Sequence, residues 1–170
     1  QEMSRGLGDV YKRQGDNRES IHASAESLSK SFVTFVEVEP LIGDVNDAAK
    51  KIHQKLKEIE SSTKPTAIVW GGETTVKIKG SGLGGRNQEL ALIVAELAHQ
   101  DPIRKSWTFL SGGTDGRDGP TEAAGAIVDQ ETCKRILNEG YQVYDFLAEN
   151  NSNKALQISC LLYTSDAADE

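Results

Sequence analysis

The chain has only two cysteines, Cys133 and Cys160, so no disulfide framework holds it together. Its histidines, His22, His53 and His99, share no ligand spacing, which leaves a zinc site nothing to be built from. No apolar run approaches the roughly 20 residues of a membrane helix, and the N-terminus lacks the charged, apolar and small-residue succession of a secretory leader. Basic charge is also short. Against 26 Asp and Glu there are 19 Lys and Arg, a formal net charge of −7, whereas a nucleic-acid partner would want a basic face. The Lys-Ser/Thr pair of a Walker loop is absent, as are the H-R-D and D-F-G motifs of protein kinases. The expectation is a soluble cytoplasmic domain without a membrane or nucleic-acid partner, and 170 residues suffice for one real core.

Both ends read as foreign to that domain. Asp9-Val10-Tyr11-Lys12-Arg13-Gln14 is what GAT GTG TAT AAG AGA CAG encodes, and the reverse complement in another frame gives Cys160-Leu161-Leu162-Tyr163-Thr164-Ser165. Such complementarity marks residues 1–14 and 160–170 as translated sequencing-adaptor ends, to be set aside in fold reasoning. The charge balance stays acidic without them, and Cys133 becomes the only cysteine of the insert.

Within the insert, helical and strand signals interleave, which predicts an α/β fold. Asp16 or Asn17 is placed to cap a helix over 18–31, and Phe32 to Val38 alternates as a strand. Asp44 is placed to cap a second helix, with Val45, Ala48, Ala49, Ile52, Leu56 and Ile59 at helical spacing. Ser61 to Pro65 reads as a linker, and Thr66 to Trp70 as a short apolar strand. The alternation of Thr74 to Lys79 predicts a strand with Val76 and Ile78 on its buried face. Leu90 to Ala95 is apolar all round, so the helix predicted over 87–98 should be deeply buried. Trp107 to Leu110 reads as a strand, and a helix over 131–138 should stop at Gly140.

Two loops carry candidate chemistry. Gly80-Ser81-Gly82-Leu83-Gly84-Gly85 leads into a helix that begins near Arg86 and Asn87. Glycines let backbone N–H groups approach an anion, the helix start adds partial positive charge, and Arg86 adds a planar fork of donors. The competing reading is a tight turn with Arg86 in solvent. The loop also satisfies G-x-G-x-x-G, but the preceding segment alternates with lysines, and no ribose-binding acid stands about 20 residues on. The second loop, Ser111 to Gly125, includes Thr114, Asp115 and Asp118 and follows an apolar strand, where open α/β sheets place ligands. Its aspartates either serve hydroxyls and hard cations or cap turns by accepting from nearby backbone N–H groups. A smaller feature is Gly71 to Thr75, in which Glu73 either faces the site or sits in a tight turn.

Together, G-G-E-T-T at 71–75, G-S-G-L-G-G-R-N-Q-E-L-A at 80–91 and S-G-G-T-D-G-R-D-G-P-T-E-A-A-G-A at 111–126 resemble the glycerate kinase family. They are similar to its C-terminal domain, named for a leucine-rich fragment found in many organisms (MOFRL). Leu147 to Ser152 is similar to the family's Leu-x-x-Asn-Asp-Ser, with Asn151 where Asp is usual. The resemblance implies a mixed β-sheet with flanking helices, forming the C-terminal domain of a two-domain α/β enzyme. It also implies ATP-dependent phosphorylation of D-glycerate with Mg²⁺.

Carried over by residue, the resemblance makes Arg86 the active-site charge on the glycerate carboxylate or the transferred phosphoryl. Asp115 becomes the group that orients or deprotonates the substrate hydroxyl, and Asp118 a ligand for Mg²⁺ or substrate. Ser81, Gly82, Gly84 and Gly85 become backbone donors, with Glu73, Asn87 and Thr114 as further substrate or nucleotide contacts. Residues 15–62 would then end the N-terminal domain and 66–159 form a truncated C-terminal one. Activity would require the rest of the N-terminal domain. The alternatives are an NAD(P)H oxidoreductase of the hydroxypyruvate reductase type and a non-catalytic binding domain.

Overall fold

Capping and stop signals translate most directly into the computed structural model, which describes residues 16–159 and 162–163. The tails expected at 1–14 and 160–170 lie outside the described residues, except for the backbone of Leu162–Tyr163, a short strand. The elements run in chain order as α1 (Asp16–Ser29), β1 (Val33–Val36), β2 (Leu41–Asp44), α2 (Val45–Ile59), β3 (Thr66–Val69), β4 (Gly72–Thr75) and α3 (Arg86–Gln100). They continue as β5 (Thr108–Gly112), β6 (Gly125–Asp129), α4 (Thr132–Asn138), α5 (Val143–Ala148), α6 (Ser152–Ile158) and β7 (Leu162–Tyr163). The fold is α/β, with parallel and antiparallel pairs distributed over small separate sheets.

The described residues divide into two compact units, one of 16–41 with 62–73, the other of 42–61 with 74–159. Helix α2 belongs to the second unit, and β3 belongs to the first.

In the first unit β1 and β3 pair in parallel, with Val33 opposite Thr66 and Val36 opposite Val69. Helix α1 contacts both strands. Phe32, Val33, Phe35 and Val36 stay exposed, whereas parallel strands in larger sheets are covered on both faces.

In the second unit α3 is the central element. Leu90 through Ala95 are all buried, as their unbroken apolar run requires. Helix α2 packs against α3 through the stripe Val45, Ala48, Ala49 and Ile52. Asp44 caps α2, its carboxylate accepting from Asn46 N at 2.8 Å. On the other side of α3 the antiparallel sheet β5-β6-β7 and helices α4, α5 and α6 close one core around Leu92, Val128, Ile136 and Leu156. Cys133 is part of that core, and burial pushes its thiol up to about 12. Helix α4 stops where expected. Gly140, at φ +84°, donates to Leu137 O, and Tyr141 N donates to Ile136 O, the double closure that a left-handed residue permits.

Two sequence expectations needed correction. The strand expected over 74–79 is found at Gly72–Thr75, and Ile78, expected on its buried face, is 78% exposed. Segment 77–80 is instead held by side-chain hydrogen bonds described below. Helix α1 starts at Asp16, so both residues expected to cap it lie inside its first turn. Strand β6 and helices α5 and α6 had no expectation at all, because five to seven residues are too few to display a period.

Candidate active site

The glycine loop 80–85 does make a close approach, and the backbone it approaches is the protein's own. Gly82 N donates to Glu149 O at 2.8 Å, Leu83 N to Asn151 Oδ1 at 3.2 Å, and Asn153 N to Leu83 O at 3.0 Å. A Cβ added at Gly82 would fall on Glu149 and Asn151, and one at Gly84 on Ser152 Oγ. The segment before α6 thus occupies one side of the loop. That segment is the Leu147-to-Ser152 motif, to which sequence reasoning gave no role.

Asn150 fastens the entry to the loop. Held at φ +51°, it accepts from Lys79 N at 2.6 Å and Gly80 N at 3.1 Å. Its amide donates to Lys77 O at 3.2 Å and Glu89 Oε1 at 3.0 Å. Glu89 is buried at 6% exposure. Burial raises its pKa, against the opposing pulls of Asn150 and Lys79. A small cavity of about 50 Å³ lies beside Glu89, Lys77 and Lys79.

A group whose native pKa is raised keeps its proton where the unfolded chain has already lost it. Stability therefore falls as pH rises from the ordinary 4.5 towards the shifted value. Glu89→Gln retains an acceptor for Asn150 without the ionisation. Its melting temperature should fall less steeply with pH above 4.5 than the wild type's, and an unchanged slope would remove this reading.

The second loop lies directly against the first. Asp118 is 2% exposed and receives four hydrogen bonds on its two carboxylate oxygens. Asn87 N and Nδ2 reach Oδ1 at 3.0 and 3.1 Å, and Gln88 N and Nε2 reach Oδ2 at 2.8 and 3.0 Å. Gln88, fully buried, also donates from Nε2 to Thr121 Oγ1 at 3.0 Å, and its Oε1 accepts from Asn153 Nδ2 at 2.8 Å. Ser111 Oγ donates to Asn87 Oδ1 at 2.8 Å. Gly119, at φ +63°, sits where a Cβ would meet Gly84 O.

These bonds settle where several sequence candidates stand. Gly82, Gly84, Gly85, Asn87 and Asp118 are brought together, and Arg86 stands among them as the first, exposed residue of α3. A metal-ligand role does not fit Asp118, because four donors already fill both oxygens. Likewise the side-chain amide of Asn87 bridges Asp118 and Ser111. Among the described residues no group of three His, Cys, Asp or Glu is arranged to hold a metal ion. Ser81, Thr114 and Asp115 are exposed, and Asp115 Oδ1 accepts from Arg117 N at 3.3 Å, an Asx turn. Glu73 is exposed on β4, in the first unit.

Residues 66–168 match the model of the MOFRL family. The chain is 38% identical over 166 residues to a D-glycerate 2-kinase of Thermotoga maritima, an alignment covering 94% of this chain and 39% of the relative. A glycerate 2-kinase of Pyrococcus horikoshii is 37% identical over 153 residues, 86% of this chain and 33% of the relative. A crystal structure of glycerate kinase from Thermotoga maritima superposes with a TM-score of 0.77 at 34% identity, covering 87% of this chain and 36% of that one. This chain spans well under half the length of these relatives.

Proposed function

The chain belongs to the MOFRL family, and from that premise we propose that it is the C-terminal part of a D-glycerate kinase that uses ATP. The observation that carries the proposal is the placement of Arg86. It is an exposed residue, the first of a buried helix, where the glycine loop ends and the second loop is bonded to the helix start. Phosphoryl transfer depends on positioning and charge neutralisation, which such a fixed cation supplies. In this reading Arg86 faces the glycerate carboxylate or the transferring phosphoryl group. The hydroxyl oxygen of glycerate bonds to the γ-phosphorus as the bond to the ADP oxygen breaks. The hydroxyl proton passes to a carboxylate, for which Asp115 is the candidate. Ser81, Gly82, Gly84 and Gly85 would shape one wall through their backbone, with Thr114 and Glu73 as further contacts.

Mg²⁺ would accompany ATP in such an enzyme, although among the described residues no group of three His, Cys, Asp or Glu is arranged to hold it. The same reading assigns residues 15–62 to the end of an N-terminal domain, 66–159 to the C-terminal domain, and the two tails to adaptor sequence. It places the enzyme in the cytoplasm, in keeping with the finding that no described helix is long and apolar enough to cross a membrane. The N-terminal domain would be required for turnover, since the relatives named as kinases are more than twice as long. The NAD(P)H reading is not favoured, because the relatives compared above are kinases by name.

Fluorescence titration of the intact enzyme separates the two chemistries. Mg-ATP should give a saturable change, and NADH none. A saturable NADH response that hydroxypyruvate competes with would overturn the kinase assignment.

A further inference from the structure

The start of α3 lacks a cap of its own. Gly85 occupies the N-cap position in extended backbone, φ −143° and ψ 174°, and has no side chain with which to accept the first free N–H groups. No side chain could be placed there, because a Cβ at Gly85 would run into both the carboxyl and the backbone carbonyl carbon of Asp118. The donors that an N-cap side chain normally serves are those two and three residues on, here Asn87 N and Gln88 N. Both are bonded to the carboxylate of Asp118, at 3.0 and 2.8 Å, from 31 and 30 residues away in sequence. A negative group at a helix start is also favoured by the aligned peptide dipoles.

We propose that Asp118 is the positioning residue of this site: a remote cap that sets the direction in which α3 begins and so holds Arg86 in place. The inference rests on the kinase reading for its functional consequence, and on the cap geometry alone for its structural one. The peptide planes that Asp118 grips immediately follow Arg86. The side chains around it reinforce the grip. Asn87 Nδ2 and Gln88 Nε2 donate to the carboxylate, and Thr121 Oγ1 donates to Asp118 O at 2.7 Å. Each of the two oxygens accepts from two N–H donors. An amide in place of the carboxylate would set an NH₂ group against two of them. Asp118→Asn is therefore a severe change despite its equal size.

The decisive experiment is a double-mutant cycle in the intact enzyme with Arg86→Ala and Asp118→Asn. Asp118→Asn alone should lower kcat/KM by about 100-fold, the scale of a misplaced catalytic group. It should change the same parameter, kcat or the KM for glycerate, that Arg86→Ala changes. In the Arg86→Ala background it should have almost no further effect, because its influence passes through Arg86. Additive losses would overturn the proposal.

Amide exchange judges the cap independently. In this chain Asn87 and Gln88 should exchange at least about 10-fold faster in Asp118→Asn, the scale of a lost cap, and unchanged protection there would overturn the proposal. Should the wild-type enzyme phosphorylate no glycerate, the kinase reading would fall while the exchange result still decided the cap. Thr121→Val removes one supporting hydroxyl with little change of volume and serves if Asp118→Asn does not fold. It should show a smaller loss with the same non-additivity, and additivity would again overturn the proposal.

Discussion

Arg86→Ala in the intact enzyme should reduce kcat/KM for glycerate phosphorylation by roughly 10³-fold or more, the scale on which a transition-state arginine acts. The melting temperature should move by no more than about 2 °C, since exposed residues contribute little to folding. The two halves of this expectation come from one observation, that α3 buries Gln88 to Ala95 but exposes its first residue. The helix start is held by Asp118 through Asn87 and Gln88, so removing the guanidinium leaves the backbone where it was. Arg86→Lys keeps the charge and loses the planar fork, and should recover only part of the activity. A fully active Arg86→Ala enzyme would remove the assignment.

Asn150→Ala should destabilise this chain by about 3–5 kcal/mol, at the high end for a single substitution. The side chain serves two backbone donors, one backbone acceptor and a buried carboxyl. Each buried partner left unsatisfied costs about 1–3 kcal/mol. The backbone adds to this, because φ +51° is a conformation that Asn tolerates and Ala does not favour. Equilibrium urea unfolding reads the effect directly, and a loss below about 1 kcal/mol would contradict the role given to this residue. Segment 77–80 should also lose amide protection in the variant, since its bonds to Asn150 stand in place of the strand expected there.

What could be read from the sequence was whatever is encoded within a turn or two of chain. Asp44 announces a helix because its partner is Asn46, and Gly140 ends one because its closures reach only to Ile136 and Leu137. The burial of α3 follows from an apolar run with no polar face. The glycines of 80–85 were legible as a place of close approach, but glycine says nothing about what approaches. Here it is Glu149 to Ser152 on one side and Asp118 on the other.

Asp118 shows the same limit. Its residue type suits a cap, a cation or a hydroxyl equally well. The choice was made by two backbone N–H groups about thirty positions earlier, which no local pattern connects to it. Asn150 acts across about seventy positions and was equally hidden. The one available signal was the Leu147-to-Ser152 motif, which would have pointed to these contacts had it been read as a partner for the glycine loop. The two loops could be singled out as candidates for chemistry from composition alone, and the structure adds that the second is bonded, at Asn87, to the helix that follows the first.

Phosphorus NMR of the intact enzyme with Mg-ATP and D-glycerate reaches the central claim most directly. A phosphomonoester signal should grow as the γ-phosphate of ATP declines, only when D-glycerate is present. ATP left intact by the folded enzyme in the presence of D-glycerate would contradict the account.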